Sequence, residues 1–317
     1  MVRYFKTEDG YAKQVEQPEP GCWVMITPPF EPGELEGLAE TFKVPFEYFM
    51  DSLDIDERSR YEIEDGVPLI VVNTPVPNDP ERRGKYEAIY ITAPIGIIPL
   101  EDYTLTLSRI NSPVLMYFVE RRVRNFDTKD QKRFILQIFN VINMLFIENL
   151  KKLNLKRHFI EAELYSSSRN EELKQLLQIE KSLVYFVTSL RDNELLFLKM
   201  KRTDFLHIRQ DKELEELFED IIIDNSQALE MANVYTNILS STMETYASII
   251  SNNLNLYINR LSIIAIILMV PTLFASFYGM NVRLPLQDHP YAFYYIILLS
   301  LVVVLGLIYI LHVKKIL

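Results

Sequence analysis

Residues 261–282, LSIIAIILMVPTLFASFYGMNV, run for 22 positions without a charged side chain. Residues 290–311, PYAFYYIILLSLVVVLGLIYIL, are a second such run of 22. A helix crosses a hydrocarbon core of about 30 Å with about 20 apolar residues, because it rises about 1.5 Å per residue. Both runs are apolar all round instead of along one stripe, which separates them from the helices of a soluble core. They predict a pair of membrane spans at the C-terminal end, joined by a short loop from Gly279 to His289.

The charge outside the runs orients them. Residues 1–259 hold 29 basic and 42 acidic residues. Residues 260–317 hold Arg260, Arg283, Lys314 and Lys315 against the single acid Asp288. Arg260 precedes the first span, and Lys314 and Lys315 follow the second. Basic flanks stay cytoplasmic, so the expected topology has both termini inside. The opening MVRYFKTEDGYAKQ has no apolar core of a signal peptide. The expected location is the plasma membrane, as a multi-pass protein with an acidic cytosolic body.

That acidity, net −10 over 317 residues, argues against nucleic acid as a partner, which needs a basic face. One cysteine, Cys22, excludes an internal disulfide or a CxxC zinc module, and suits a reducing compartment. His158, His207, His289 and His312 lack the i, i+3 or i, i+4 partners of a zinc helix. There is no GxGxxG and no GxxxxGK[ST]. The chain reads as neither an enzyme nor the holder of a cofactor.

Residues 1–120 mix strand-like runs with Pro and Gly punctuation. Cys22–Ile26, Leu69–Val72, Ala88–Ile91 and Thr104–Leu107 read as strands. Glu34–Phe42 reads as a helix with Leu35, Leu38 and Phe42 on one face, and Pro45 ends it or starts the next. Asn78 to Gly84 reads as a turn or loop. The expectation is an α/β domain over 1–120 and a helical region over 121–208. In the latter, Ser166 to Asn170 forms the turn before a helix that starts with Glu171 and Glu172 near its positive end.

One very long pattern follows. Leu214, Leu217, Ile221, Ala228, Met231, Tyr235, Ile238, Thr242, Ile249 and Leu256 keep spacings of three and four, with no Pro until Pro271. Glu213 to Tyr278 as one helix would be about 100 Å long. It predicts a stalk over 209–260 that continues into the spans of 261–317, and a symmetric oligomer of this chain around that stalk. Continued into the membrane, one stripe reads Asn255, Ile258, Ser262, Ala265, Met269, Thr272, Ser276, Gly279. Small residues there permit close helix packing, and equally line a water-filled path. Asn281 at the outer end favours the path. A ring of its amide oxygens on a symmetry axis suits Mg2+, which prefers oxygen and dehydrates reluctantly. A neutral ring also binds weakly enough to release.

Gly279-Met280-Asn281 between two C-terminal spans resembles the signature of the CorA family of magnesium channels. Residues 271–281 are similar to that family's pore-helix end, Glu180 to Phe186 to a segment of its cytosolic helices, and Trp23 to Leu53 to its N-terminal domain. The resemblance implies a homopentamer in which the first span lines the pore and the second forms an outer ring. It implies a selectivity filter at Gly279, Met280 and Asn281, and pore-lining residues Asn255, Leu261, Met269 and Thr272. Lys314 and Lys315 match an inner basic collar, and Asp220, within Phe218-Glu219-Asp220, matches a stalk carboxylate of a regulatory Mg2+ site. Asp51, Asp54 and Asp56 are candidate partners of Asp220 by composition. The implied function is uptake of Mg2+, with Co2+ and Ni2+ as further cargo, down the membrane potential and gated by internal Mg2+. The loop Val282 to Asp288 departs from the family pattern, with one acid and one Arg. Two alternatives stay open: a transporter of zinc or another divalent metal, and a membrane-anchored scaffold or sensor that transports nothing.

Overall fold

The computed structural model describes residues 1–79, 87–164, 170–282, 284–285 and 289–314. The turn expected at Ser166 to Arg169, most of the expected loop 80–84, and Arg283, Asp288 and Lys315 lie outside these. Among the described residues the order is β1 (Val2–Glu8), β2 (Tyr11–Val15), β3 (Cys22–Ile26), α1 (Glu34–Phe42), α2 (Phe46–Leu53), β4 (Arg60–Glu64), β5 (Val67–Pro77), β6 (Tyr90–Pro99), β7 (Tyr103–Leu107), α3 (Pro113–Val119), α4 (Gln131–Leu164), α5 (Asn170–Thr203), α6 (Lys212–Tyr278) and α7 (Ala292–Val313). Contacts divide the chain into two units, Met1–Met243 and Glu244–Leu317, with the division inside α6.

The first unit is built on a sheet of order β2-β1-β3-β7-β6-β5-β4. Its central pair, β3 and β7, is parallel and the other neighbours are antiparallel. All five residues of β3 are buried, as an unbroken apolar run requires of a strand covered on both faces. Alternation sorts the side chains. Val24, Ile26, Leu69, Val71, Leu105 and Leu107 pack with Ala39 of α1 and Tyr48 and Phe49 of α2. On the opposite face Trp23 meets Phe5, Phe118, Phe126 and Phe134, with ring centroids 4.8–6.1 Å apart. Burying an indole strands its N–H unless a partner is supplied. Trp23 Nε1 donates to Thr106 Oγ1 at 2.8 Å, which explains a polar residue in the middle of β7. Gly96 in β6 marks the closest approach of α2, since a Cβ there would lie 1.9 Å from Ser52 Oγ.

α5 is held on the sheet by polar pins at helical spacing. Ser182 Oγ accepts from the backbone N–H groups of Ile89 and Tyr90 at 2.9 and 3.2 Å. Ser189 Oγ donates to Thr92 Oγ1 at 2.8 Å. Asn193 Oδ1 accepts from Asn73 N at 3.1 Å and Ser59 Oγ at 2.6 Å, while its Nδ2 donates to Asn73 O at 2.9 Å. Asn193 is fully buried, so these bonds replace water for the side chain and for the β5 backbone together.

β1, β2 and β4 are absent from the strands read in the sequence, while β5 contains the expected Leu69–Val72; the two hairpins β1–β2 and β4–β5 were therefore missed. Each turns on Asp-Gly: Asp9 and Gly10 have φ of 52° and 76°, and Asp65 and Gly66 of 51° and 82°. Two consecutive positive φ values are the geometry a tight hairpin needs, and Asp-Gly supplies it. β3 and α1 fall where their patterns place them. β6 starts at Tyr90, two residues after the expected Ala88, and runs on to Pro99. Pro45 is the N-cap of α2.

Within the first unit, α6 buries Leu214, Phe218, Ile221, Ala228, Ala232 and Leu239. Asn143 of α4 donates to Ile221 O at 2.7 Å, and Asn225 of α6 donates to Leu190 O of α5 at 2.9 Å. Of the expected stripe, Leu214, Ile221 and Ala228 are therefore covered inside their own chain, where α4 and α5 bond α6, while Ile238, Ile249 and Leu256 stay exposed. Apolar burial has no directional preference, so the neighbours already present in the chain cover the first three.

Replacing Asn193 by Ala should lower the stability of the chain by about 2–3 kcal/mol, because it orphans buried groups on β5 as well as removing a side chain. Thermal unfolding of the detergent-solubilised protein checks this, with Ser189→Ala as the milder companion.

Candidate functional site

The second unit has two described helical elements, the remainder of α6 from Glu244 and α7. Both are long and apolar enough to cross a membrane, and only 6% of the apolar window of each is buried. α4 also meets that length and composition over Gln131–Ala162, but 67% of its window is buried. Composition already ranks α4 as the least apolar of the three. Burial separates it further, because a helix that hides its apolar surface in its own chain has none left to offer lipid.

Along α6 the shielded positions are Ile263, Ile267, Val270, Phe274 and Tyr278. Along α7 they are Ala292, Ile296, Ser300, Val304, Leu307, Ile308 and Leu311. Spacings of three and four give each helix one covered row. At about 100° per residue, the opposite side of α6 carries Leu261, Ala265, Met269, Thr272 and Ser276. All five are exposed, Leu261 and Met269 to 68%. Asn255 is exposed and lies two turns before Ser262 on the same side. The structure thus puts the four expected pore-lining residues, Asn255, Leu261, Met269 and Thr272, at exposed positions of α6 outside its shielded row.

The hydroxyls on that side are set in one sense. Ser262 Oγ donates to Ile258 O at 2.8 Å and Thr272 Oγ1 donates to Leu268 O at 2.9 Å. With its proton committed to the helix, each oxygen offers only lone pairs outward. The waters around a cation point their hydrogens outward, so such an oxygen meets them as an acceptor. Pro271 removes one donor from the ladder, releasing the Ile267 carbonyl. At the end of the helix Gly279 N still donates to Ala275 O, and Met280 N donates to Phe277 O. Asn281 follows, exposed, in a bend. Lys314 is the exposed C-cap of α7, where a cation complements the negative end of the helix. Its expected companion Lys315 is outside the described residues.

Asp220 belongs to the first unit and is exposed on α6. It lines a cleft together with Arg122, Arg124, Arg133, Glu213 and Glu216. Arg133 bonds Glu213 at 2.8 Å and pulls that carboxyl below its ordinary range, so the pair persists at neutral pH and is lost as pH falls through the lowered value. Among the described residues no three His, Cys, Asp or Glu side chains come together as a metal site. Asp51 is engaged by Arg60 at 2.7 Å, in a set that also holds Glu57 and Glu62. Asp54 accepts from the Asp56 backbone at 3.1 Å, and both side chains stay exposed. One copy therefore does not bring Asp220 together with the acids suggested as its partners. The Arg133–Glu213 pair and the arginine-lined cleft were not read from the sequence, because their members are 80 residues apart.

A protein-family model described as "CorA-like Mg2+ transporter protein" matches residues 19–315. The "Cobalt/magnesium transport protein CorA" of Methanocaldococcus jannaschii is 25% identical over 287 residues, covering 87% of this chain and 86% of that protein. The solved structure of the complete CorA magnesium transporter from the same organism aligns with a TM-score of 0.78 at 22% identity, over 98% of this chain and 97% of that one. The full-length CmaX protein aligns at 0.69 and 13% identity, over 100% of this chain and 97% of that one. The likeness of fold extends through both units.

Because the native cysteine, Cys22, is buried, single cysteines can report on the second unit without background. Thr272→Cys in liposomes should react with a small water-soluble thiol reagent at least about tenfold faster than Val270→Cys, since only the former faces the open side. Equal rates would place both in the same environment and remove the distinction.

Proposed function

This chain belongs to the CorA-like Mg2+ transporter family, and on that premise we propose that it is a channel admitting Mg2+ through the open side of α6. Five copies surround an axis, with the parts 1–120, 121–208 and 209–260 in the cytoplasm and 261–317 in the plasma membrane. Both termini are cytoplasmic. The carrying observation is the division of α6, with a shielded row through Ile263, Ile267 and Phe274 on one side and Leu261, Met269 and Thr272 exposed on the other. A side that is neither shielded nor uniformly bulky needs other copies, and a ring of copies turns it inward.

In this reading the Gly279-Met280-Asn281 segment is the entry filter. Asn281 presents neutral oxygens that bind an ion through its waters, so a strongly hydrated divalent cation enters without stripping. Thr272 supplies the next ring of acceptors. Leu261 and Met269 form apolar constrictions that close by excluding water. Lys314 and Lys315 repel cations near the inner mouth and set a barrier to leakage. The membrane potential supplies the driving force, about 2.3 kcal/mol per charge per 100 mV and twice that for a divalent ion. Mg2+ is cargo and regulator here, not a cofactor, and Co2+ travels the same path, in keeping with the cobalt/magnesium transport named for the Methanocaldococcus jannaschii relative.

Regulation is proposed at Asp220. Among the described residues Asp220 belongs to no cluster of three metal-ligating side chains, so a bridging Mg2+ completes its ligands with carboxylates of a neighbouring copy. At high internal Mg2+ the bridges hold the acidic bodies together, and when Mg2+ falls their mutual repulsion favours an open state.

Asn281→Ala should abolish Mg2+ flux into reconstituted vesicles while the oligomer persists on size exclusion. Full flux would remove the filter role. Comparing Mg2+, Co2+, Ni2+ and Zn2+ in the same vesicles ranks the cargo. Asp220→Lys should leave the channel conducting at internal Mg2+ levels that silence the wild type, and an unchanged dependence on internal Mg2+ would remove Asp220 from gating.

A further inference from the structure

The segment that follows α6 is tied back by one side chain. Tyr278, the last residue of the helix, donates its hydroxyl proton to the Pro285 carbonyl at 3.0 Å. The bond joins Tyr278 to Pro285, and Asn281 lies between them in the chain. There the chain leaves the helix tightly. Gly279 N donates to Ala275 O at 3.0 Å, and Met280 N donates to Phe277 O at 3.2 Å, a three-residue step that narrows the last turn. A Cβ on Gly279 would lie 3.3 Å from Ala275 O and 3.5 Å from Ser276 O, so the turn leaves little room for a side chain. Pro285 carries the acceptor on a backbone whose φ is fixed by its ring. Tyr278 is half-buried on the Ile263 side of α6, away from Thr272 and Met269. It holds the loop without occupying the open side.

We propose that Tyr278 is a positioning residue for Asn281: its hydroxyl, by holding the Pro285 carbonyl, fixes the backbone from which Asn281 offers its amide to the entering hydrated cation. This rests on the reading of Asn281 as the entry ring. A ring of amides acts on one ion only if every copy places its oxygen at the same distance from the axis. A loop pinned only by its chain ends samples many placements, and a cross-link between 278 and 285 removes most of them. The tether makes no contact with the ion. Its loss therefore weakens recognition at the entry more than it slows passage, because the constrictions deeper in α6 are untouched.

The test is Mg2+ flux against external Mg2+ in vesicles holding the full-length oligomer. Tyr278→Phe removes only the hydroxyl. It should raise the apparent KM for Mg2+ by roughly 3- to 10-fold, the worth of one hydrogen bond, at unchanged maximal flux and oligomer size. Pro285→Gly keeps the carbonyl and frees its backbone, and should raise KM in the same direction by less. The double variant should be no worse than Tyr278→Phe, because both changes break one tether. An apparent KM for Tyr278→Phe within about twofold of wild type, or full additivity in the double variant, overturns the proposal. If Tyr278→Phe fails to assemble, Pro285→Gly decides, and an unchanged KM there overturns it. A silent Asn281→Ala beside an unaltered Tyr278→Phe sinks the tether alone. Full flux through Asn281→Ala sinks the entry ring and the tether with it.

Discussion

One helix can cover only one side of another. In the second unit the apolar end of α6 has one shielded row, through Ile263, Ile267 and Phe274, and α7 is the other described helix there. Everything proposed for conduction follows from the side that row leaves. That side carries small, hydroxyl and flexible apolar residues, and the hydroxyls of Ser262 and Thr272 turn their protons back into the helix. In hydrocarbon such committed hydroxyls are tolerated, since their donors are satisfied. Beside water they are acceptors. The same local bond thus serves folding in a bilayer and contact with a hydrated cation.

The first unit solves a different problem with the same currency. Its sheet is covered on both faces, so polar groups in it must find partners within the protein. Trp23 finds Thr106, and the β5 backbone at Asn73 finds Asn193. These pins are few and specific, and they fix how α5 lies on β5 and β6. With α5 fixed, Asn225 of α6 has a defined carbonyl at Leu190 to bond. The start of the long helix is thereby anchored through polar contacts as well as by its apolar face. Residues outside that face, including Asp220, are left exposed and charged.

What was legible in the sequence was mostly what is local. Uncharged runs of 22 residues, the five apolar residues of β3 and the one-sided spacing of α1 each carry their structure in a single window. The Asp-Gly hairpins were equally local and would have been found from the positive φ that dipeptide accepts. β4 was hidden for another reason. It is an edge strand of alternating charged and apolar residues, with Ile63 left 61% exposed, so it lacks the apolar run that marks a central strand. The stalk stripe was read at helical spacing, but beyond Ala228 the buried row runs through Ala232, Leu239 and Tyr246 instead of Met231, Tyr235 and Ile238, and spacing does not say which neighbour covers it. α4 and α5 cover its early part, and that depended on how α5 is pinned to the sheet.

The sequence by itself determined that this chain ends in two membrane-length helices, that a glycine and an amide stand where the first one ends, and that the body before them is acidic. These follow from length, charge and spacing, which need no partner in space. Only the tertiary structure decided which side of α6 is free, that Tyr278 reaches Pro285 across Gly279-Met280-Asn281, and that Asp220 joins no cluster of three metal-ligating side chains among the described residues of its own copy. Each of those is a relation between side chains and their surroundings, and a linear pattern fixes which residues share a face without fixing what that face meets.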